Sequence, residues 1–130
     1  MEETDDFRAA GRALFSLGLV KGSEGNLSTF GSGVLRITRA GARLHELGDE
    51  DVVAGRLDDG VLSGASSDLQ VHRRMYRERG SGAIAHSHPP GTVPEGGGGP
   101  GQHGLYTFAA TLQEAVAQTV RVVRGAGASR

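Results

Sequence analysis

AIAHSHPP, residues 83–90, is the stretch on which the reading of this chain turns. Its first six residues suit a strand, and the two prolines stop it, because proline lacks the N–H a ladder needs. Alternate residues of a strand share a face. His86 and His88 therefore project side by side, with Cα atoms about 7 Å apart. Two imidazoles so placed can converge on one divalent ion. Three neutral histidines with an open fourth position are a catalytic zinc arrangement, whereas structural zinc usually recruits cysteine, and this chain has none. Taken alone, the pair reads more readily as a surface strand with two polar positions turned outward.

Working outward, residues 5–18 read as a helix on the spacing of Phe7, Ala10 and Leu14, with Gly18 after its end. NLSTF (26–30) and VLRIT (34–38) read as strands of a hairpin joined by Gly-Ser-Gly. LHELGDED (44–51) is polar and reads as a turn. VVAGRL (52–57) is a strand that turns at Asp58-Asp59-Gly60. A helix over 67–79 opens with a possible Ser67/Gln70 capping box. After the 83–88 strand, residues 91–102 are rich in glycine and proline and read as a flexible loop. GLYTF (104–108) is a last strand, and a helix covers 111–124 with Thr111 as its N-cap. This order predicts an α/β chain of the α+β type. One domain spans 1–130, with a mostly antiparallel or mixed central sheet and helices packed on its faces.

Composition narrows the function. The 14 basic and 15 acidic residues give a net charge of -1 and form no basic stripe, so no nucleic-acid partner is expected. No apolar run approaches the roughly 18 residues that span a bilayer, and the acidic N-terminus has no leader-like apolar segment. A cytoplasmic protein with no membrane contact is expected. Leu, Val, Ile, Phe and Met make up only 31 of 130 residues, while glycine supplies 22. So thin a core is marginal alone, and homo-oligomerisation is an ordinary remedy.

Three further segments have chemical potential. GASSDLQVH (64–72) puts Ser66, Ser67 and Asp68 at a helix start. Such residues cap helices, but hydroxyls there also bind phosphate, and a carboxylate beside a metal can serve as a base. GSEGNLS (22–28) and ITRAG (37–41) expose main-chain amides, which fits either a phosphate cradle or plain turns.

The ordered set GLVKGSEGNLSTF, VLRITRAG, VVAGRLDDG, GASSDLQVHRRMYR, AIAHSHPPGT and QHGLYTFAATLQEAVAQTVRVV resembles the class II aldolase/adducin family, over most of the chain. The resemblance implies that His86, His88 and His103 are ligands of Zn2+ or another divalent metal. It implies that Asp68 is the acid/base, and that Gly25, Asn26, Thr38, Gly41, Ser66 and Ser67 hold a substrate phosphate. His72 matches a structural histidine with no role in the chemistry. The implied activity is retro-aldol cleavage of a phosphorylated ketose to dihydroxyacetone phosphate and an aldehyde. Epimerisation at C4 and a catalytically impaired metal-binding or scaffold member are the alternatives. The implied partner is a small-molecule sugar phosphate, and the implied assembly is a homo-oligomer, by resemblance a tetramer. The chain departs from the family twice. Asp68 stands where its aldolases usually carry Glu, and Ser-Ser-Asp looks more like its epimerase branch. The interval between the HSH pair and His103 is also much shorter than in typical members.

Overall fold

The computed structural model describes residues 2–58, 60–89 and 104–128. Three helices and five strands follow one another: α1 (Glu2–Ser16), β1 (Asn26–Gly31), β2 (Val34–Thr38), β3 (Val52–Gly55), α2 (Leu69–Arg79), β4 (Gly82–Ser87), β5 (Leu105–Ala109) and α3 (Leu112–Ala128). The strands form one sheet in the order β3-β2-β1-β4-β5. Every pairing is antiparallel, which resolves the expected mixed-or-antiparallel sheet. Among the described residues, no helix is long and apolar enough to cross a membrane. Asp59, the 91–102 stretch and His103 lie outside the described residues.

Strand alternation divides the sheet into two unlike faces. Leu27 pairs with Ala85, and Asn26 and Ser28 pair with His86 and Ile84 on the opposite face. The Leu27 face is apolar and lies under α1 and α3. Phe7, Ala10 and Leu14 of α1 pack there with Leu112, Ala115 and Val116 of α3 and with Ala83 and Ala85. The other face carries Leu35, Ile37 and Ile84, and Leu69 and Tyr76 of α2 cover it. The modest apolar content is thus shared between two small cores on either side of one sheet.

Several boundaries differ from expectation for local reasons. Residues 44–51 are more than a polar turn. They form two short 3-10 turns, at Leu44–Glu46 and Asp49–Asp51, and bury Leu44 and Leu47 against α1. Helix α2 begins at Leu69 with Asp68 as its N-cap, without a side-chain cap bond there, and Ser67 is exposed. At α3 the expected cap is present, with the Glu114 N–H donating to Thr111 Oγ1 at 3.1 Å. Buried Arg73 of α2 donates to the Gly60 carbonyl at 2.6 Å and the Arg56 carbonyl at 3.1 Å, tying the segment after β3 to the helix.

Gly11 is the tightest point of the α1 contact. A Cβ there would stand 1.9 Å from the Leu44 carbonyl oxygen. Helix propensity alone would make Gly11→Ala stabilising by up to about 1 kcal/mol. The opposite is expected, a loss of about 1–3 kcal/mol typical of overpacking, because backbone rather than a movable side chain is in the way. Urea titration of the two proteins checks the sign.

Candidate active site

Antiparallel pairing brings distant parts of the sequence to one end of the sheet. The start of β1 meets the end of β4 through Asn26 and His86, and the start of β5 joins them through Tyr106 opposite His86. The end of β2 meets the segment before α2, where the Ser66 N–H donates to the Thr38 carbonyl at 3.1 Å. Gly25, Asn26, Thr38, Ser66, Asp68, His86 and His88 are thereby gathered in one region. Gly41, two residues beyond Arg39, lies at the edge of this region, where Arg39 bridges to Ala65.

His86 is 2% exposed, so the outward-facing reading of the HSH pair does not hold for it. Its ring stacks on Tyr106 with centroids 3.9 Å apart and planes within 8°. His88 follows the end of β4 and is half-buried, with its ring centroid 4.8 Å from that of His86. Both rings border Gly104. A Cβ built there would lie 3.2 Å from His86 Nε2 and 3.3 Å from His88 Nδ1, and 2.3 Å from the Ser87 carbonyl oxygen. Only glycine leaves that corner open, and it does so at a φ of +86° that other residues avoid.

Asp68 faces the same corner from the start of α2. Its Oδ2 lies 2.9 Å from His86 Nδ1 and accepts from Asn26 Nδ2 at 2.8 Å. Burial raises the Asp68 carboxyl, but the His86 and Asn26 contacts outweigh it and hold the group below its ordinary value. Asp68 is thus a carboxylate at neutral pH. A carboxylate on one ring nitrogen of a histidine orients the ring and leaves the other nitrogen for a cation. Burial and the neighbouring Asp68 charge push the Tyr106 hydroxyl up, keeping it a donor.

Behind Asp68 runs a fully buried polar chain. His72 Nε2 lies 2.5 Å from Asn26 Oδ1, and His72 Nδ1 lies 2.6 Å from Ser28 Oγ. Ser28 Oγ is in turn 2.7 Å from the Tyr76 hydroxyl. Sequence reasoning gave His72 no chemical role and passed over Ser28, Tyr76 and Tyr106. The usable signal was periodic: Asp68, His72 and Tyr76 recur every four residues on a helix, and Asn26 and Ser28 every two on a strand.

The phosphate candidates divide into two kinds. Ser67 is exposed and Gly41 has open space about it. Asn26, Thr38 and Ser66 are buried, and each has an internal partner. Thr38 Oγ1 accepts from the Leu27 N–H and Ser66 Oγ from the Asp68 N–H. Two imidazoles converging on an open corner, with no thiol, suit a divalent cation of the zinc type. Among the described residues no three His, Cys, Asp or Glu side chains are grouped to hold a metal. His103, next to Gly104 in sequence, lies outside them.

Residues 5–94 match the Class II Aldolase and Adducin N-terminal domain. The chain is 37% identical over 95 residues to the 5-deoxy-D-ribulose 1-phosphate aldolase of Bacillus thuringiensis serovar kurstaki, a match covering 68% of this chain and 45% of that one. The L-fuculose-1-phosphate aldolase structure from Thermus thermophilus is 36% identical, with a TM-score of 0.63 over 66% of this chain and 44% of that one. YgbL from Escherichia coli shares the fold at 18% identity, with a TM-score of 0.80 over 95% of this chain and 86% of that one. The chain therefore spans less than half the length of the curated aldolase it matches.

The buried His72 gives a pH signature. Burial, with the nearby His86, drives its imidazole from 6.5 down to about 3. The unfolded chain takes up this proton below about 6.5 and the folded chain does not. The stability contribution is thus complete above 6.5 and is lost as pH falls towards 3, at up to about 1.4 kcal/mol per unit. Between pH 7 and 5, wild type should lose on the order of 1–2 kcal/mol more than His72→Gln, measured by denaturant unfolding at both pH values.

Proposed function

The chain belongs to the class II aldolase and adducin family, and from that premise we propose that it is a divalent-metal-dependent aldehyde-lyase acting on a ketose 1-phosphate. The observation that carries this reading is the Asp68 carboxylate set 2.9 Å from His86 Nδ1, beside a corner left open by Gly104. In this proposal His86, His88 and His103 hold Zn2+ or another divalent metal. When bound, the metal supplies Lewis-acid stabilisation of the negative charge that carbon–carbon cleavage leaves on the substrate oxygens. Asp68 takes the proton of the C4 hydroxyl as the C3–C4 bond breaks, and returns it to C3. The products are an aldehyde and dihydroxyacetone phosphate. Gly25, Gly41 and exposed Ser67 line the phosphate subsite, with buried Asn26, Thr38 and Ser66 behind them as its support, so that binding energy far from the reacting carbons positions them.

The substrate class follows from the two aldolases named above, both of which act on a 1-phosphate of a ketose. A second reading, C4 epimerisation with the aldehyde retained and re-added, is favoured by the Ser66-Ser67-Asp68 pattern. A third, an impaired metal-binding member, is favoured by the short span relative to the aldolases. The homo-oligomer belongs to this proposal as well, since the two thin cores gain from a covered surface.

Purified protein should contain about one divalent metal per chain, and His86→Ala should lose it, as read by elemental analysis. The metal-loaded protein should release dihydroxyacetone phosphate from 5-deoxyribulose 1-phosphate or fuculose 1-phosphate in a coupled assay. Asp68→Asn should keep the metal and lower turnover by about 10²–10⁴-fold. Metal without cleavage but with C4 exchange supports the epimerase, and metal with neither supports the impaired member. Protein that takes up no metal on soaking overturns all three.

A further inference from the structure

The chain from Tyr76 to Asp68 has a direction that its chemistry dictates. A carboxylate only accepts hydrogen bonds. The Asn26 group facing Asp68 is therefore its amide nitrogen, and Oδ1 is turned to His72. An amide oxygen only accepts, so His72 Nε2 carries the hydrogen. His72 is wholly buried and stays neutral, so its Nδ1 is an acceptor and the Ser28 hydroxyl donates to it. The Ser28 oxygen then takes its bond from the Tyr76 hydroxyl. Reversing any member leaves two acceptors or two donors face to face in a buried site, at a cost of about 1–3 kcal/mol for each orphaned group.

We propose that Tyr76, Ser28, His72 and Asn26 form a one-way hydrogen-bond chain that fixes the Asn26 amide, and through it aims the Asp68 carboxylate at His86. His72 is then a positioning residue rather than a packing residue. Helical turns and strand steps mesh to build the chain. Four residues of helix rise about 6 Å, and two of strand about 6.6 Å. Groups from α2 and β1 therefore alternate like teeth: Tyr76, Ser28, His72, Asn26, Asp68. With Asn26 Nδ2 on Asp68 Oδ2, that same oxygen is held where it meets His86 Nδ1. The contact falls short of hydrogen-bond geometry at Nδ1, so it acts through charge: the carboxylate 2.9 Å away favours the ring hydrogen of His86 on Nδ1 over Nε2, which lies beside Gly104. Any catalytic use of this arrangement rests on the aldolase reading above, whereas the arrangement itself does not.

Long-range 15N–1H correlation spectra of histidine-labelled, metal-free protein test the proposal without any substrate. In wild type at pH 7, His72 should be the Nε2–H tautomer and His86 the Nδ1–H tautomer. In His72→Leu, which donates nothing to Asn26, His86 should become a mixture of both tautomers. His72→Gln can still donate an amide hydrogen to Asn26 and should restore Nδ1–H at His86. A His72 Nδ1–H tautomer in wild type overturns the proposal even if the Leu variant fails to fold. So does a folded Leu variant with His86 unchanged, or a folded Gln variant that behaves like Leu. Zinc titration of the same proteins separates the two readings. A tautomer shift in protein that never binds zinc sinks the metalloenzyme reading and leaves the relay intact.

Discussion

The contact of one carboxylate with two strands is what the rest of this site depends on. Asp68 Oδ2 meets Asn26 of β1 and His86 of β4, residues that face each other across the sheet. A buried carboxylate is costly unless its charge is met by donors. Asp68 can be buried only if α2 starts where it does, and only if β1 and β4 pair in this register. The helix start, the strand register and the charge are one constraint seen from three sides. This also accounts for the lack of a side-chain cap bond from Asp68 at α2: its carboxylate is committed to the sheet.

Two different economies operate on the two faces of the sheet. Under α1 and α3 the packing is apolar and close, to the point that Gly11 admits no side chain. Where polarity enters that face it is local, as in Thr107, which hydrogen-bonds Thr119 and the Ala115 carbonyl. Under α2 the central residues are polar and satisfied in sequence from Tyr76 to Asp68, with apolar side chains to either side. Buried polar chains of this kind are favourable only when complete. The α2 face therefore supplies specificity of geometry, and the α1/α3 face supplies much of the burial.

Much of this was legible in the chain. Alternation identified NLSTF, VLRIT and AIAHSH as strands, and helical spacing with its N-cap preference placed Thr111 at the start of α3. The ordered motifs pointed to the family. What escaped was long-range. Residues 44–51 look polar, yet Leu44 and Leu47 are buried, because α1 lies over them and their neighbours turn outward. His72 and Tyr76 look like an ordinary helix side until α2 is laid across β1, since only the sheet order shows that four-residue and two-residue spacings will mesh. The outward reading of His86 failed for the same reason: Tyr106 arrives from a strand twenty residues on and covers the ring.

The alternation along β4 has a further consequence. Ala83 and Ala85 face one core, while Ile84 and His86 face the other. A strand slipped by one position exchanges its faces completely. Such a slip here would drive an imidazole into the packing of α1 and α3 and leave Asp68 opposite a methyl group. A one-residue slip therefore loses on both sides at once. The register of β4 is thus checked by two chemically unlike environments, through residues that also help to shape the candidate site.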